Sequence, residues 1–151
     1  MFHIVIGCDA TGKSTLCRQL SEKLGIPIHR HMVQPKTEEE CESMFYEYQR
    51  MFMEENNVIF DRTFYCEQVY GPIFRGKSFI SDEQARMLED MLIAKGAIVY
   101  YCYDEADKII DRFKTTGEKF TKPINVRNIL KGYADIIRKV EARLPVVYHK
   151  I

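Results

Sequence analysis

Nine consecutive residues near the N-terminus combine types that can hold a phosphate group. They match the pattern G-x-x-x-x-G-K-[ST] at every fixed position, with an apolar run before them and helical periodicity after them. Backbone N–H groups and a helix dipole would hold a polyphosphate, Lys13 would reach its β and γ phosphates, and the Ser14 hydroxyl would ligate Mg²⁺. The residues expected to bind ATP are Gly7, Cys8, Asp9, Ala10, Thr11, Gly12, Lys13, Ser14 and Thr15.

A carboxylate and a guanidinium follow the apolar run at 58–60, as Asp61 and Arg62. Ligands in open α/β sheets bind beyond the carboxyl ends of the strands, so Asp61 is a predicted ligand in the magnesium shell. A helix that starts near Arg62 would place Arg62, Cys66 and Tyr70 on one face, at i, i+4 and i+8. The pattern therefore predicts an arginine and a tyrosine facing one cleft.

The elements that must position these residues alternate along the chain. Apolar runs predict strands at 2–6, 26–32, 57–61, 97–101 and 145–150. Helical periodicity, caps and stops predict helices at 13–24, 38–54, 82–95, 104–113 and 125–143, with a loop at 71–77. This order predicts an α/β fold of the P-loop class, with a five-stranded parallel sheet covered by helices on both faces.

The helix predicted at 38–54 begins with a capping box formed by Thr37 and Glu40 and carries an aromatic stripe. Such a stripe is expected to lie in the core. The alternative is that Phe45, Tyr48 or Gln49 also contacts a ligand, because aromatic side chains with a few polar groups often line pockets. Phe45 and Gln49 are therefore included among the predicted substrate-binding residues.

Composition limits the possible functions. The 151 residues are 46% hydrophobic and 29% charged, which suits one soluble domain over 1–151, and we expect a cytoplasmic protein without a membrane span. Because 22 basic residues balance 22 acidic ones, nothing favours bulk binding of polymeric nucleic acid. Five cysteines without a C-x-x-C pair disfavour disulfides or zinc, and we expect reduced thiols.

With the glycine loop and its internal acid in place, and with the Asp61-Arg62 pair, the chain resembles the thymidylate kinases and their short bacteriophage-type relatives. The resemblance implies ATP-dependent phosphoryl transfer to a deoxynucleoside 5′-monophosphate, dTMP or a related pyrimidine nucleotide. It implies that Asp9 contacts the 3′-hydroxyl, Arg62 holds the acceptor phosphate, and Tyr70 packs on the sugar. Alternatively, Asp9 is a solvated loop acid, Arg62 pairs with Asp61, and Tyr70 is a core aromatic.

The same resemblance implies a lid-like segment at about 112–124. Its basic residues would contact the transferring phosphoryl group, with Arg112, Lys114 and Lys119 as candidates. A basic helix end that stabilises its own dipole is the alternative. The predicted catalytic set is thus Lys13, Arg62, Asp61 and Arg112, and the family suggests a homodimer.

The chain departs from that family where an Arg-Glu-Pro stretch becomes Val33-Gln34-Pro35. It also resembles the deoxyribonucleoside kinases, which carry a carboxylate base at the position of Gln34. Glutamine cannot accept the proton of a nucleoside 5′-hydroxyl, which favours a monophosphate acceptor unless Asp61 acts as the base. The glycine loop by itself would also suit a P-loop ATPase, a regulatory nucleotide switch or a kinase for a non-nucleotide metabolite.

Overall fold

The computed structural model describes residues 1–30, 37–116 and 123–150. Five strands in these ranges form one sheet in which every neighbouring pair is parallel. The strands are β1 (Phe2–Gly7), β2 (Ile28–His29), β3 (Val58–Asp61), β4 (Ile98–Tyr103) and β5 (Val146–Lys150). Their order across the sheet is β2-β3-β1-β4-β5, which confirms the predicted five-stranded parallel α/β fold.

Helices make the crossover connections between the strands. They are α1 (Lys13–Leu24), α2 (Glu38–Glu54), α3 (Phe64–Arg75), α4 (Asp82–Ala94), α5 (Ala106–Thr116) and α6 (Pro123–Val140). Thr37 and Ser81 cap α2 and α4 through their side-chain hydroxyls, as the sequence predicts for α2. None of the described helices combines the length and the hydropathy that crossing a membrane requires.

The two faces of the sheet are covered unequally. On one face the buried cluster is small, and α1 packs there through Leu16 and Cys17 against side chains of β1, β3 and β4. The alternate residues of the same strands enter the main core, which buries side chains from α2, α3, α4, α5 and α6. This alternation follows from the two-residue period of a strand. Because β1 and β3 pair in parallel, their carboxyl ends lie at one edge of the sheet.

The segment predicted as a loop at 71–77 is instead largely helical, because α3 continues through Pro72 to Arg75. Tertiary contacts explain the difference. Glu67 pairs with Arg75 and accepts a hydrogen bond of 2.9 Å from the backbone N–H of Phe79, which ties the returning chain to the helix. A Cβ atom at position 71 would lie 2.8 Å from the Lys77 carbonyl oxygen, so this close approach requires Gly71.

Candidate functional site

The glycine loop joins β1 to α1 through backbone conformations that few residues adopt. Ala10 has φ 60° and Gly12 has φ 75°, both in the left-handed region. A Cβ atom at Gly7 would lie 2.2 Å from the carbonyl oxygen of Cys102 on β4. Only glycine fits there, and the loop is therefore set directly on the neighbouring strand.

Lys13 crosses the inside of this loop. Its Nζ donates hydrogen bonds of 2.8 Å to the carbonyl oxygens of Gly7 and of Cys8, and the residue is 6% exposed. The Thr11 hydroxyl also donates to the Cys8 carbonyl. The ammonium group, together with the positive end of the α1 dipole, provides positive potential where the sequence predicts phosphate.

The cysteines are buried and free, as expected from their number and spacing. Burial raises the pKa of Cys8 to about 11, even though the Lys13 charge acts in the opposite direction. Burial likewise raises the pKa of Cys17 to about 12 and that of Cys102 to about 11. These thiols are protonated at neutral pH, which argues against thiolate chemistry in the loop.

Asp61 ends β3 directly beside the strand that leads into the loop, because its backbone is in register with Val5. Its carboxylate lies 3.8 Å from Arg30 Nε, and its side chain is 11% exposed. Ser14 is exposed in the first turn of α1. A hydroxyl and a carboxylate are suitable donors for Mg²⁺, which commonly completes its shell with phosphate oxygens and water.

Arg62 contacts the glycine loop from the main-core face of the sheet, near Cys66 and Tyr70. Its backbone has φ 77°, its N–H donates 3.0 Å to the Val5 carbonyl, and its Nη2 lies 2.6 Å from Asp9 Oδ1. A helix does start near Arg62, as expected, but it begins at Phe64, so Arg62 itself lies outside α3 and does not share a helix face with Cys66 and Tyr70. A left-handed turn, not helical periodicity, directs the guanidinium across the cleft, and its carboxylate partner is Asp9.

Tyr70 on α3 lies in the same region. Its hydroxyl is buried without a hydrogen-bond partner among the described residues. Burial raises the Tyr70 pKa, and the negative charge of Asp9 adds to the effect, so the phenol stays protonated and able to donate. Tyr70 and Arg62 thus lie in one region, close enough for the Tyr70 phenol to affect the pKa of Arg62, although they do not share a helix face.

Tyr133 on α6 is a member of this region that the sequence analysis missed. Its ring is edge-on to Tyr70 at 6.1 Å between centroids, and no nitrogen or oxygen of the described residues bonds its buried hydroxyl. Its spacing from Val126 and Ile129 has the period of a helix face directed into the core. That pattern carries no signal that separates a site residue from a packing residue.

The residues predicted on α2 lie at different depths. Phe45 is 6% exposed within the main core, where its ring contacts Tyr46. Tyr48 and Gln49 are half-buried, and the Tyr48 ring packs on Phe52 and Phe64. The aromatic stripe thus packs as expected, and substrate contact by Phe45 and Gln49 stays a prediction.

Arg112 lies in α5, where its guanidinium contacts the loop from outside. Its Nη1 donates 2.9 Å to the Ala10 carbonyl, and its Nη2 pairs with the buried carboxylate of Asp104. Lys114 is exposed further along α5. The rest of the predicted lid, including Lys119, and the residue Gln34 lie outside the described residues.

A strand, a glycine loop and a helix at one edge of a parallel sheet of this order define a P-loop kinase-like fold. The sequence is 29% identical over 134 residues to the SPβ prophage-derived uncharacterized protein YorR of Bacillus subtilis (strain 168), over 89% of this chain and 80% of that protein. No protein-family model matches the chain.

Solved structures show the same fold. The crystal structure of Bacillus subtilis YorR in complex with phosphorylated GDP aligns with a TM-score of 0.79 and 27% identity, over 100% of this chain and 85% of that one. Deoxyadenosine kinase from M. mycoides aligns at 0.67 and 19%, over 98% and 88%. Thymidylate kinase from Candida albicans aligns at 0.59 and 14%, over 99% and 83%.

Proposed function

We propose that this protein transfers the γ-phosphoryl group of ATP to the 5′-phosphate of a deoxynucleoside monophosphate, with dTMP or a related pyrimidine nucleotide as the first candidate. The observation that carries the proposal is the position of Arg62. Its guanidinium is held 2.6 Å from Asp9 and lies near Cys66, Tyr70 and Tyr133, on the main-core face of the sheet and not on the face that α1 covers. A planar guanidinium there suits bidentate contact with an acceptor phosphate.

The loop is the proposed donor site. Lys13 would contact the β and γ phosphates, either by leaving the Gly7 and Cys8 carbonyl oxygens or by donating to both at once. The N-terminus of α1 would face the negative charge of the same phosphates. Ser14 and Asp61 would hold Mg²⁺, which would offset the negative charge of the phosphate groups. Alignment and charge neutralisation then account for most of the rate, as is usual for phosphoryl transfer.

The position of Asp61 favours a metal role over a role as general base. Its carboxylate lies on the α1 side of the sheet, where its charge acts on Cys17 and Cys102, and its ion-pair partner is Arg30. The acceptor side is instead occupied by Arg62 and Tyr70. A monophosphate needs no base, because its attacking oxygen is already ionised.

Asp9 and Tyr70 would bind the sugar of the acceptor. The Asp9 carboxylate accepts from Arg62 and lies 3.5 Å from Lys13 Nζ, so it stands between the two cationic groups and can also accept a bond from a sugar hydroxyl. The Tyr70 hydroxyl has no partner of its own among the described residues. The YorR complex with phosphorylated GDP supports a nucleotide ligand and makes guanine nucleotides a necessary part of any test.

The test is ADP release from ATP-Mg with a panel of acceptors at equal concentration. The panel contains dTMP, dUMP, dCMP, dGMP and GMP, the five matching nucleosides, and water alone. We expect turnover with at least one monophosphate and none with its nucleoside. Turnover with nucleosides only would overturn the proposal in favour of a nucleoside kinase, and equal turnover with water alone would indicate an ATPase or nucleotide switch.

A further inference from the structure

Ala10 holds a conformation that its side chain disfavours. Its φ of 60° lies in the left-handed region, and within the described ranges only Arg62 shares a positive φ among the residues that are not glycine. A left-handed alanine lies above its right-handed alternatives in free energy, since its Cβ crowds the backbone. Contacts around Ala10 must therefore favour this conformation when no ligand is bound.

Arg112 is the group that contacts Ala10 from outside. Its Nη1 donates a hydrogen bond of 2.9 Å to the Ala10 carbonyl, across 102 positions of sequence. A hydrogen bond from a charged donor is stronger than one between neutral groups, and it fixes the direction of the carbonyl. The orientation of this peptide group is part of what aims the following N–H groups at a phosphate.

Asp104 holds Arg112 in turn. Its carboxylate is fully buried, with one oxygen paired to Arg112 Nη2 and the other accepting 2.8 Å from the Glu105 N–H. Burial alone would raise the pKa of Asp104, but these hydrogen bonds and the arginine charge lower it overall. Asp104 therefore stays ionised and fixes the guanidinium at the start of α5.

We propose that Asp104 is a positioning residue for the donor site: through Arg112 it holds the Ala10 carbonyl, and so keeps the glycine loop in its phosphate-binding conformation before ATP arrives. The inference rests on the proposed function in one respect, that the loop binds the phosphates of ATP. It gives Arg112 a fixed role at the loop, in place of a role as a mobile lid cation that reaches the transferring phosphoryl group.

The experiment measures the Kd of ATP-Mg by calorimetry without any acceptor. Asp104→Asn keeps an oxygen for the Glu105 N–H but loses the charge that holds Arg112. We expect ATP to bind about 5- to 30-fold more weakly, the range set by the cost of a left-handed alanine. Arg112→Lys, which keeps the charge but loses the fork, should weaken binding to a similar degree.

Glycine at position 10 provides the decisive control, because glycine adopts positive φ without the cost of a Cβ atom. In an Ala10→Gly background, Asp104→Asn should weaken ATP binding by only about 2-fold, since the conformation no longer needs external support. A merely structural role for Asp104 would give the same loss in both backgrounds and would overturn the proposal.

Asp107, in the first turn of α5 and three positions after Asp104, offers a matched control. It pairs with Arg127 Nη2 at 2.7 Å, but its side chain is 83% exposed. Asp107→Asn should leave the Kd of ATP unchanged, and an equal effect of Asp104→Asn and Asp107→Asn would reject the inference. Wild-type protein that binds ATP but fails to phosphorylate any monophosphate would reject the proposed function alone, whereas an unchanged Kd in Asp104→Asn would reject this inference alone.

Discussion

The two sides of the cleft differ in how their polar groups are satisfied. On the loop side, Thr11 and Lys13 donate to carbonyl oxygens of the loop itself, and Arg112 donates to Ala10. On the opposite side, the Tyr70 hydroxyl is buried without a hydrogen-bond partner among the described residues, and the neighbouring Tyr133 hydroxyl has only the Cys66 thiol. Unpaired buried hydroxyls are costly, and such groups in a native structure require an explanation.

The difference indicates that the two sides have different roles. The loop side is built mainly from one contiguous stretch, and its backbone donors and positive charge suit a phosphate group. The other side is assembled from the turn after β3, the helix α3 and the helix α6, and it retains hydrogen-bonding capacity that its own groups do not use. We infer that substrate discrimination depends on that second side, because unsatisfied donors penalise a ligand that leaves them unpaired.

The largest effect is expected at Lys13, which tests whether the loop side carries the chemistry. Lys13→Met removes the cation expected at the β and γ phosphates, and kcat for the best acceptor should fall about 10²- to 10³-fold, the usual cost of losing one such stabilising group. Steady-state ADP release measures it. Lys23→Met, in the exposed last turn of α1, should leave kcat unchanged. A Lys13→Met enzyme within a few-fold of wild type would contradict the assignment.

Arg62 tests whether the opposite side binds a phosphate. Arg62→Ala should raise KM for the monophosphate about 10- to 100-fold, because a hydrogen bond to a charged group contributes about 1.5–3 kcal/mol. KM for ATP should change much less. Arg30→Ala is the matched control, since Arg30 pairs with Asp61 on the α1 side and its side chain is 55% exposed. An equal rise in both KM values after Arg62→Ala would mean that Arg62 serves the loop rather than the acceptor.

Gly7 tests how tightly the loop side is built. Gly7→Ala would bring a Cβ atom to 2.2 Å from the Cys102 carbonyl oxygen, so β1 or β4 must shift. We expect the free energy of unfolding to fall by about 1–3 kcal/mol, the usual cost of overpacking, with a loss of ATP affinity. Gly25→Ala at the end of α1 is the control, since it has φ 68° but no atom within 4 Å of its Cβ position. It should cost stability without affecting ATP, as urea denaturation and calorimetry would show.

The loop side was also the more predictable of the two. The motif identified its residues, since a local pattern needs only its own strand and helix, and the bounds of α2 followed from its N-cap threonine and aromatic period. The position of Arg62 depended on a left-handed turn, and α3 continued through Pro72 because of a tertiary contact of Glu67. Tyr133 is 63 positions from Tyr70, and no local pattern reports such a proximity.

The smallest effect, and the sharpest test of the comparison, is expected from two tyrosines of α3. Tyr70→Phe removes a buried hydroxyl that has no partner among the described residues, so the free energy of unfolding without ligand should rise, by up to about 1 kcal/mol. The same change removes the hydroxyl proposed to donate to the acceptor nucleotide, so KM of the variant for the monophosphate should rise about 5-fold.

Tyr65→Phe is the matched control, because the Tyr65 hydroxyl donates 2.6 Å to Glu89 Oε1 in the core. Its removal leaves a buried carboxylate oxygen without that donor, so the free energy of unfolding should fall by about 1–3 kcal/mol while KM stays unchanged. Identical chemical deletions on one helix should therefore shift stability in opposite directions. If Tyr70→Phe also destabilises the free protein, its hydroxyl is already satisfied there, and the two sides of the cleft do not differ in the way the structure indicates.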